Sequence, residues 1–306
     1  MTKPLALPPQ SQHASIRRGA LMMTGAAASF ALMMAIVRKV SVEIHPLETA
    51  FFRNLLGLMF MAPWLLKAGF GVLRTGRFRV HVLRAAFGLG SMWSLFMALA
   101  LLPLAEVTAL SFTAPLFGTM GAAMFFGERV RIHRWTATIV GLIGAMVVLR
   151  PGIEAVQPAS LIALGSAVLM AAAMLSVKSL SRTEHPNAII IMMGVLMTPA
   201  SLVPALFVWT WPSAEAWGWL MVMGIAATTG QVCLTRAFAA ADASALLPFD
   251  FSRLVFATAI GFVIFGEIPT VWTWLGAGII IAANVYIAHR EARRNRSAPP
   301  ADRAYA

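Results

Sequence analysis

The sequence predicts an all-α integral membrane protein, with ten transmembrane helices arranged as two inverted five-helix repeats. Three observations predict it. The 306 residues are 59% hydrophobic and only 12% charged, whereas a soluble domain averages about 25% charged. The apolar residues fall into ten long runs, most of them near the roughly 20 residues that a helix needs to cross a bilayer core. A segment ending at Glu128 then reappears in similar form ending at Glu267.

The runs, in order, are 19–38, 46–66, 82–102, 105–126, 134–150, 159–178, 188–209, 216–236, 244–265 and 270–288. Arg17 and Arg18 precede the first, as in a signal peptide. However, the run is long and "VRKV" follows it rather than a small-residue cleavage site, so it reads as a retained span. Turn and charge signals separate the others: "EIHP" at 43–46, "RTGRFR" at 74–79, "GERVRIHR" at 127–134, "RPG" at 150–152, "SRTEHPN" at 181–187 and "WPSAE" at 211–215. A span must satisfy its backbone polar groups internally, which favours helices. Membrane strands need a polar alternation that these runs lack.

The formal net charge of +12 is explained by where the positive residues sit. With the N-terminus inside, 19 of the 24 Lys and Arg fall in the tails or on the cytoplasmic side, and only Arg38, Lys39 and Arg150 fall outside. That bias is the positive-inside rule and predicts both termini in the cytoplasm. The basic loops are orientation signals facing anionic membrane lipid, and no nucleic-acid partner is implied. Residues 1–16 read as a cytoplasmic tail, 17–152 as the first repeat, 153–289 as the second, and 290–306 as a polar, disordered cytoplasmic tail. Arg outnumbers Lys 20 to 4, which hints at a bacterial source and hence an inner membrane.

"PLFGTMGAAMFFGE" (115–128) and "LVFATAIGFVIFGE" (254–267) share five identities without a gap: Phe117/Phe256, Thr119/Thr258, Phe126/Phe265, Gly127/Gly266 and Glu128/Glu267. A Trp and a glycine-bearing run follow each (Trp135 with "GLIG", Trp272 with "GAG"). Five helices per half is an odd number, so the second half is inverted. Inverted repeats mark secondary transporters, which bind solute near the midplane between the halves. These same segments resemble the EamA-type members of the drug/metabolite transporter superfamily, and the resemblance covers about residues 17–289. It implies a compact ten-helix bundle, alternating access and a small-molecule solute. Pro115 aligns with Leu254, while a proline stands earlier, at Pro248, so the kink of the second half is expected at a different depth.

Ionisable residues within spans are candidate functional groups because burying them is costly. Asp250 and Arg253 are three apart, on one helix face. Either they brace a kinked helix, or they line the cavity, with Asp250 meeting a cation or proton and Arg253 a carboxylate. Pro248 lacks an amide proton and frees a carbonyl one turn earlier, which makes a hinge. Arg53, seven residues into its run, is expected to pair with an acid near the outer mouth: Glu48, Glu106 or Glu267. Glu128 and Glu267 end helices, where a carboxylate opposes the dipole. Each is expected either to cap the amides of the segment that follows or to gate. Trp93, Ser111, Thr113 and Gln231 are further cavity candidates; Trp93 is suited to stack on an aromatic or cationic ligand, but filling space is its first expected role. Pro115 is the hinge candidate of the first half.

The sequence carries no GxxxxGK[ST], HExxH or GxSxG pattern, its six histidines sit at run ends or in loops, and its single cysteine builds no metal cluster. It therefore reads as no enzyme, with no cofactor and no metal. The expected activity is movement of a small organic solute by alternating access, driven by a proton or counter-solute. The family resemblance implies export of an amino acid or related compound as the first expectation, with uptake of a vitamin- or nucleoside-like compound as the alternative. An intramembrane enzyme or a structural membrane protein are the alternatives of other classes. The oligomeric state does not follow from the sequence.

Overall fold

The computed structural model describes residues 9–68, 75–126, 132–149, 157–181, 183–184, 186–240 and 243–297. Among them are twelve α-helices and no strand: α1 (Pro9–Val40), α2 (Pro46–Ala68), α3 (Phe78–Leu101), α4 (Leu104–Ser111), α5 (Ala114–Phe126), α6 (Ile132–Leu149), α7 (Pro158–Leu180), α8 (Pro186–Leu206), α9 (Ala214–Ala240), α10 (Ala243–Asp250), α11 (Ser252–Phe265) and α12 (Val271–Ser297). Eight of the ten apolar runs each lie on one of these helices to within its ends, and the fourth and ninth each fall on two. Among the described residues, seven stretches are long and apolar enough to cross a membrane, including Leu104–Met124 across α4 and α5 and Pro248–Phe265 from the end of α10 through α11. Large side chains such as Val263, Ile264, Met124 and Val203 are well exposed, as expected where the surrounding medium is lipid rather than water.

Two expectations are corrected at helix ends. Residues 290–297, read as disordered tail, continue α12. Their Arg, Glu and Ala residues are strong helix formers, so the helix has no local reason to stop with its apolar run. The fourth and ninth runs, read as continuous, are each broken into two helices. At Phe112 the chain tightens: the Phe112 and Thr113 amides donate to Ala109 and Leu110, three residues back. Pro115 lies just beyond, and its ring excludes the carbonyl four residues earlier. The second break falls at Phe251, the same 139 residues from the first as Glu267 is from Glu128. Pro248 sits inside α10 rather than at the break. The break therefore occupies the equivalent position in both halves although the proline has moved.

The most extensive helix pairings are α1 with α9, α3 with α7, α6 with α12 and α2 with α8. Small residues make the α6–α12 approach close. A Cβ on Gly144 would stand 2.9 Å from the Gly276 carbonyl oxygen, and one on Gly276 would stand 2.5 Å from the Gly144 oxygen. One main core cluster runs from Met34 and Val37 of α1 through Phe96 and Leu99 of α3 to Leu220 of α9 and Ile280 of α12.

Candidate functional site

The two breaks meet. The Phe112 and Phe251 rings pack edge to face with centroids 5.0 Å apart. The Arg253 guanidinium lies over the Phe112 ring at 4.9 Å from its centroid, a favourable cation–π placement. Asp250 stands 3.5 Å from the Arg253 Nη2, with both side chains about a fifth exposed. At the 139-residue offset these charges align with Ser111 and Ala114, so the pair belongs to one half only.

The first break also exposes a carbonyl. In an α-helix the Leu116 amide would donate to Phe112, but it donates to Thr113 instead, at 2.9 Å. The freed Phe112 oxygen accepts from Asn284 Nδ2 of α12 at 2.8 Å. Asn284 is buried, and sequence reasoning passed over it. The signal was an asparagine inside an apolar run, a group that must find a partner there.

The other sequence candidates are placed as follows. The Ser111 hydroxyl donates to the Thr108 oxygen at 2.7 Å and that of Thr113 to Leu110 at 2.7 Å, both turned back on their own backbone. Trp93 packs partly buried against the core, with its indole N–H buried and without a partner. Gln231 lies half-buried on α9. Pro115 sits exposed in the first turn of α5. Glu128 lies outside the described residues. Arg53 donates to Asn54 Oδ1 at 3.2 Å, and Asn54 donates on to Ser201 of α8 at 3.3 Å. The three acids proposed for Arg53 have other partners: Glu48 accepts from the amide and hydroxyl of Thr210, Glu106 from Ser160, and Glu267 pairs with Arg38.

Glu267 does cap a helix, but not the one that follows it. Gly266, at φ 66°, reverses the chain after α11, a conformation that suits glycine. The turn lets Glu267 Oε2 accept from the Leu104 amide at 2.8 Å, at the start of α4. The same carboxylate pairs with Arg38, which lies over the Phe265 ring. Glu267 thus ties α1, α4 and α11 together. Glu267→Ala is expected to lower the unfolding midpoint of the detergent-solubilised protein by about 3–6 °C, as befits a lost cap and ion pair. Glu267→Gln, which keeps an acceptor for Leu104, should lose about half as much. Equal losses would mean that the cap contributes nothing.

A cleft of about 350 Å³ opens beside this cluster, lined by Lys39, Glu43, Glu215, Trp219 and Phe265 among others. Its charged groups are satisfied by one another and by their surroundings: Lys39 stands 3.7 Å from Glu215 and over the Trp219 ring, and Glu43 holds Ser213.

An apolar helical bundle whose broken helices meet at one charged, ring-lined centre has the architecture of a membrane transporter. The EamA-like transporter family model matches residues 17–150 and again 157–288. The chain belongs to that family, and it is a multi-pass membrane transporter rather than an enzyme. It is 33% identical to the riboflavin transporter of Vibrio cholerae over 91% of this chain and 95% of that protein. It is 30% identical to the S-adenosylmethionine uptake transporter of Rickettsia felis, over 81% and 85%, and 27% identical to the pseudopaline exporter CntI of Pseudomonas aeruginosa, over 88% and 95%. A solved crystal structure, 18% identical, shares the fold with a TM-score of 0.62, covering 91% of this chain and 99% of that one.

Proposed function

We infer that the chain is a secondary-active transporter of the bacterial inner membrane that moves a small vitamin-like solute by alternating access, with uptake as the favoured direction. The observation that carries this reading is the meeting of the two breaks at Phe112 and Phe251, with Arg253 over the Phe112 ring. The sequence alone placed amino-acid export first. The relatives named for riboflavin, similar over nearly the whole chain, support the vitamin-like alternative. The similarity to a pseudopaline exporter keeps export as the second reading. The test is proteoliposome flux of riboflavin against an amino-acid panel, with and without a pH gradient. Riboflavin flux that is saturable and protein-dependent supports the reading, whereas flux of amino acids alone sinks it.

Ten passes in two inverted repeats, with both termini cytoplasmic, complete the proposal. Exchanging α1–α6 with α7–α12 turns the main pairings into one another: α1·α9 becomes α7·α3, α1·α11 becomes α7·α5, and α2·α9 becomes α8·α3. The helix ends follow the same exchange. Glu43, just past α1, accepts from the Ser213 hydroxyl just before α9 at 2.9 Å. Glu184, past α7, accepts from the Thr75 hydroxyl before α3 at 2.6 Å. In this reading the two latches lie on opposite membrane faces. With the lone Cys233 replaced by serine, Val42→Cys is expected to react with an impermeant maleimide in intact cells. Arg79→Cys is expected to react only after the membrane is opened. Labelling of both from one side would overturn the inverted topology.

A further inference from the structure

Two polar atoms beside Phe112 lack partners. Arg253 Nε is buried without an acceptor, and Asn284 Oδ1 is buried without a donor. Asn284 is only 5% exposed, and its orientation is fixed because Nδ2 must face the Phe112 oxygen. An unsatisfied buried polar group is costly, and here a donor and an acceptor of that kind flank a single residue. Arg253 covers the ring of Phe112, and Asn284 holds its carbonyl. Asp250 balances the guanidinium charge, so the centre carries no net charge to attract a polyanion or a cation. The Phe112 and Phe251 rings, packed edge to face and buried, make the surroundings aromatic and apolar.

We propose that this centre recognises the lactam or imide edge of an uncharged, flat heterocycle, with Arg253 Nε donating to its carbonyl and Asn284 Oδ1 accepting from the adjacent N–H. The assignment rests on the transport reading above and names the solute class that reading leaves open. It makes Asn284 a specificity-determining residue, because a site built to bond an N–H penalises an analogue that lacks one.

The test compares riboflavin, whose ring carries one imide N–H, with its N3-methyl derivative as competitors of riboflavin flux in proteoliposomes. The wild type is expected to prefer the N–H compound by about tenfold or more. Asn284→Ala is expected to bring that preference close to unity, while an unchanged total of folded protein by gel filtration excludes general damage. Riboflavin flux with no preference between the two compounds overturns this proposal and leaves the transport reading intact. So does a preference that survives in Asn284→Ala. Failure of the wild type to move riboflavin or any other imide heterocycle, such as uridine, overturns this proposal, and the riboflavin result on its own counts against the vitamin-like reading. If Asn284→Ala does not fold, the wild-type preference decides, with Arg253→Lys as the second variant, expected to weaken both competitors alike.

Discussion

Alanine at Gly276 is expected to lower the unfolding midpoint of the detergent-solubilised protein by about 5 °C or more, and to reduce the yield of folded protein. A Cβ at this position would stand 2.5 Å from the Gly144 carbonyl oxygen and 2.9 Å from the Val148 amide nitrogen, and would collide with the Val148 side chain. Two of those three obstacles are backbone atoms, which cannot rotate away. The α6 and α12 axes must therefore separate, and the contacts along both helices loosen with them. Overpacking of this kind costs about 1–3 kcal/mol where side chains can adjust, and more where backbone blocks the way. In lipid, close packing is the main force holding helices together, because the surrounding tails are as apolar as the helix faces. Gly278 lies two residues on, with nothing within 4 Å of its Cβ position. Gly278→Ala is expected to shift the midpoint by no more than about 1 °C, since surface changes in helices have small effects. A scan of both variants checks the argument, and equal shifts would place the close approach elsewhere.

The fold was legible because lipid imposes a simple rule: backbone must be paired within each span, so runs of apolar residues become helices. What the runs concealed were the breaks at Phe112 and Phe251. Neither residue is a helix breaker. The first break owes its place to Pro115 three residues on, and the second recurs at the same offset without a proline there. Local propensity could not locate it, but the repeat could have: extended back from Glu128/Glu267, the same ungapped register aligns Phe112 with Phe251. The Asp250–Arg253 pair was legible from a spacing of three on one helix. The partners of Glu267 were not. Arg38 and the Leu104 amide lie far from it in sequence, and spacing along a chain gives no account of which helices the bundle brings together. Asn284 was missed for the same reason, since its partner is a carbonyl freed by a break on another helix.

Replacing Arg253 by glutamine is expected to lower kcat/KM for solute flux by about 100-fold, a loss of about 2.7 kcal/mol in transition-state stabilisation. Glutamine keeps a polar head but loses the charge over the Phe112 ring and the partner of Asp250. Two causes predict this loss, and they separate in a cycle of variants. If the pair only braces the end of α10, the damage in Arg253→Gln comes from the unpaired carboxylate of Asp250. Neutralising that carboxylate as well, in Asp250→Asn/Arg253→Gln, then restores most of the flux, because a neutral pair costs little to bury compared with a lone charge. If Arg253 meets the solute, the double variant still lacks its donor and stays as impaired as Arg253→Gln. Asp250→Asn alone, which leaves the guanidinium on the ring, is expected to lose about tenfold, the scale of a charge-assisted bond at a partly exposed site. The coupling energy from the four flux measurements reads the difference. The solute-facing role predicts a double variant within about threefold of Arg253→Gln, and recovery beyond tenfold assigns the pair to holding the break instead. Flux must be compared at equal reconstituted protein, since a brace acts on folded amount and a binding group acts on kcat/KM. The first half offers a natural control, because Ser111 and Ala114 occupy the equivalent positions beside Phe112 with no charge at all. That half forms its break with a hydroxyl turned onto its own backbone, so a break in this fold does not require an ion pair.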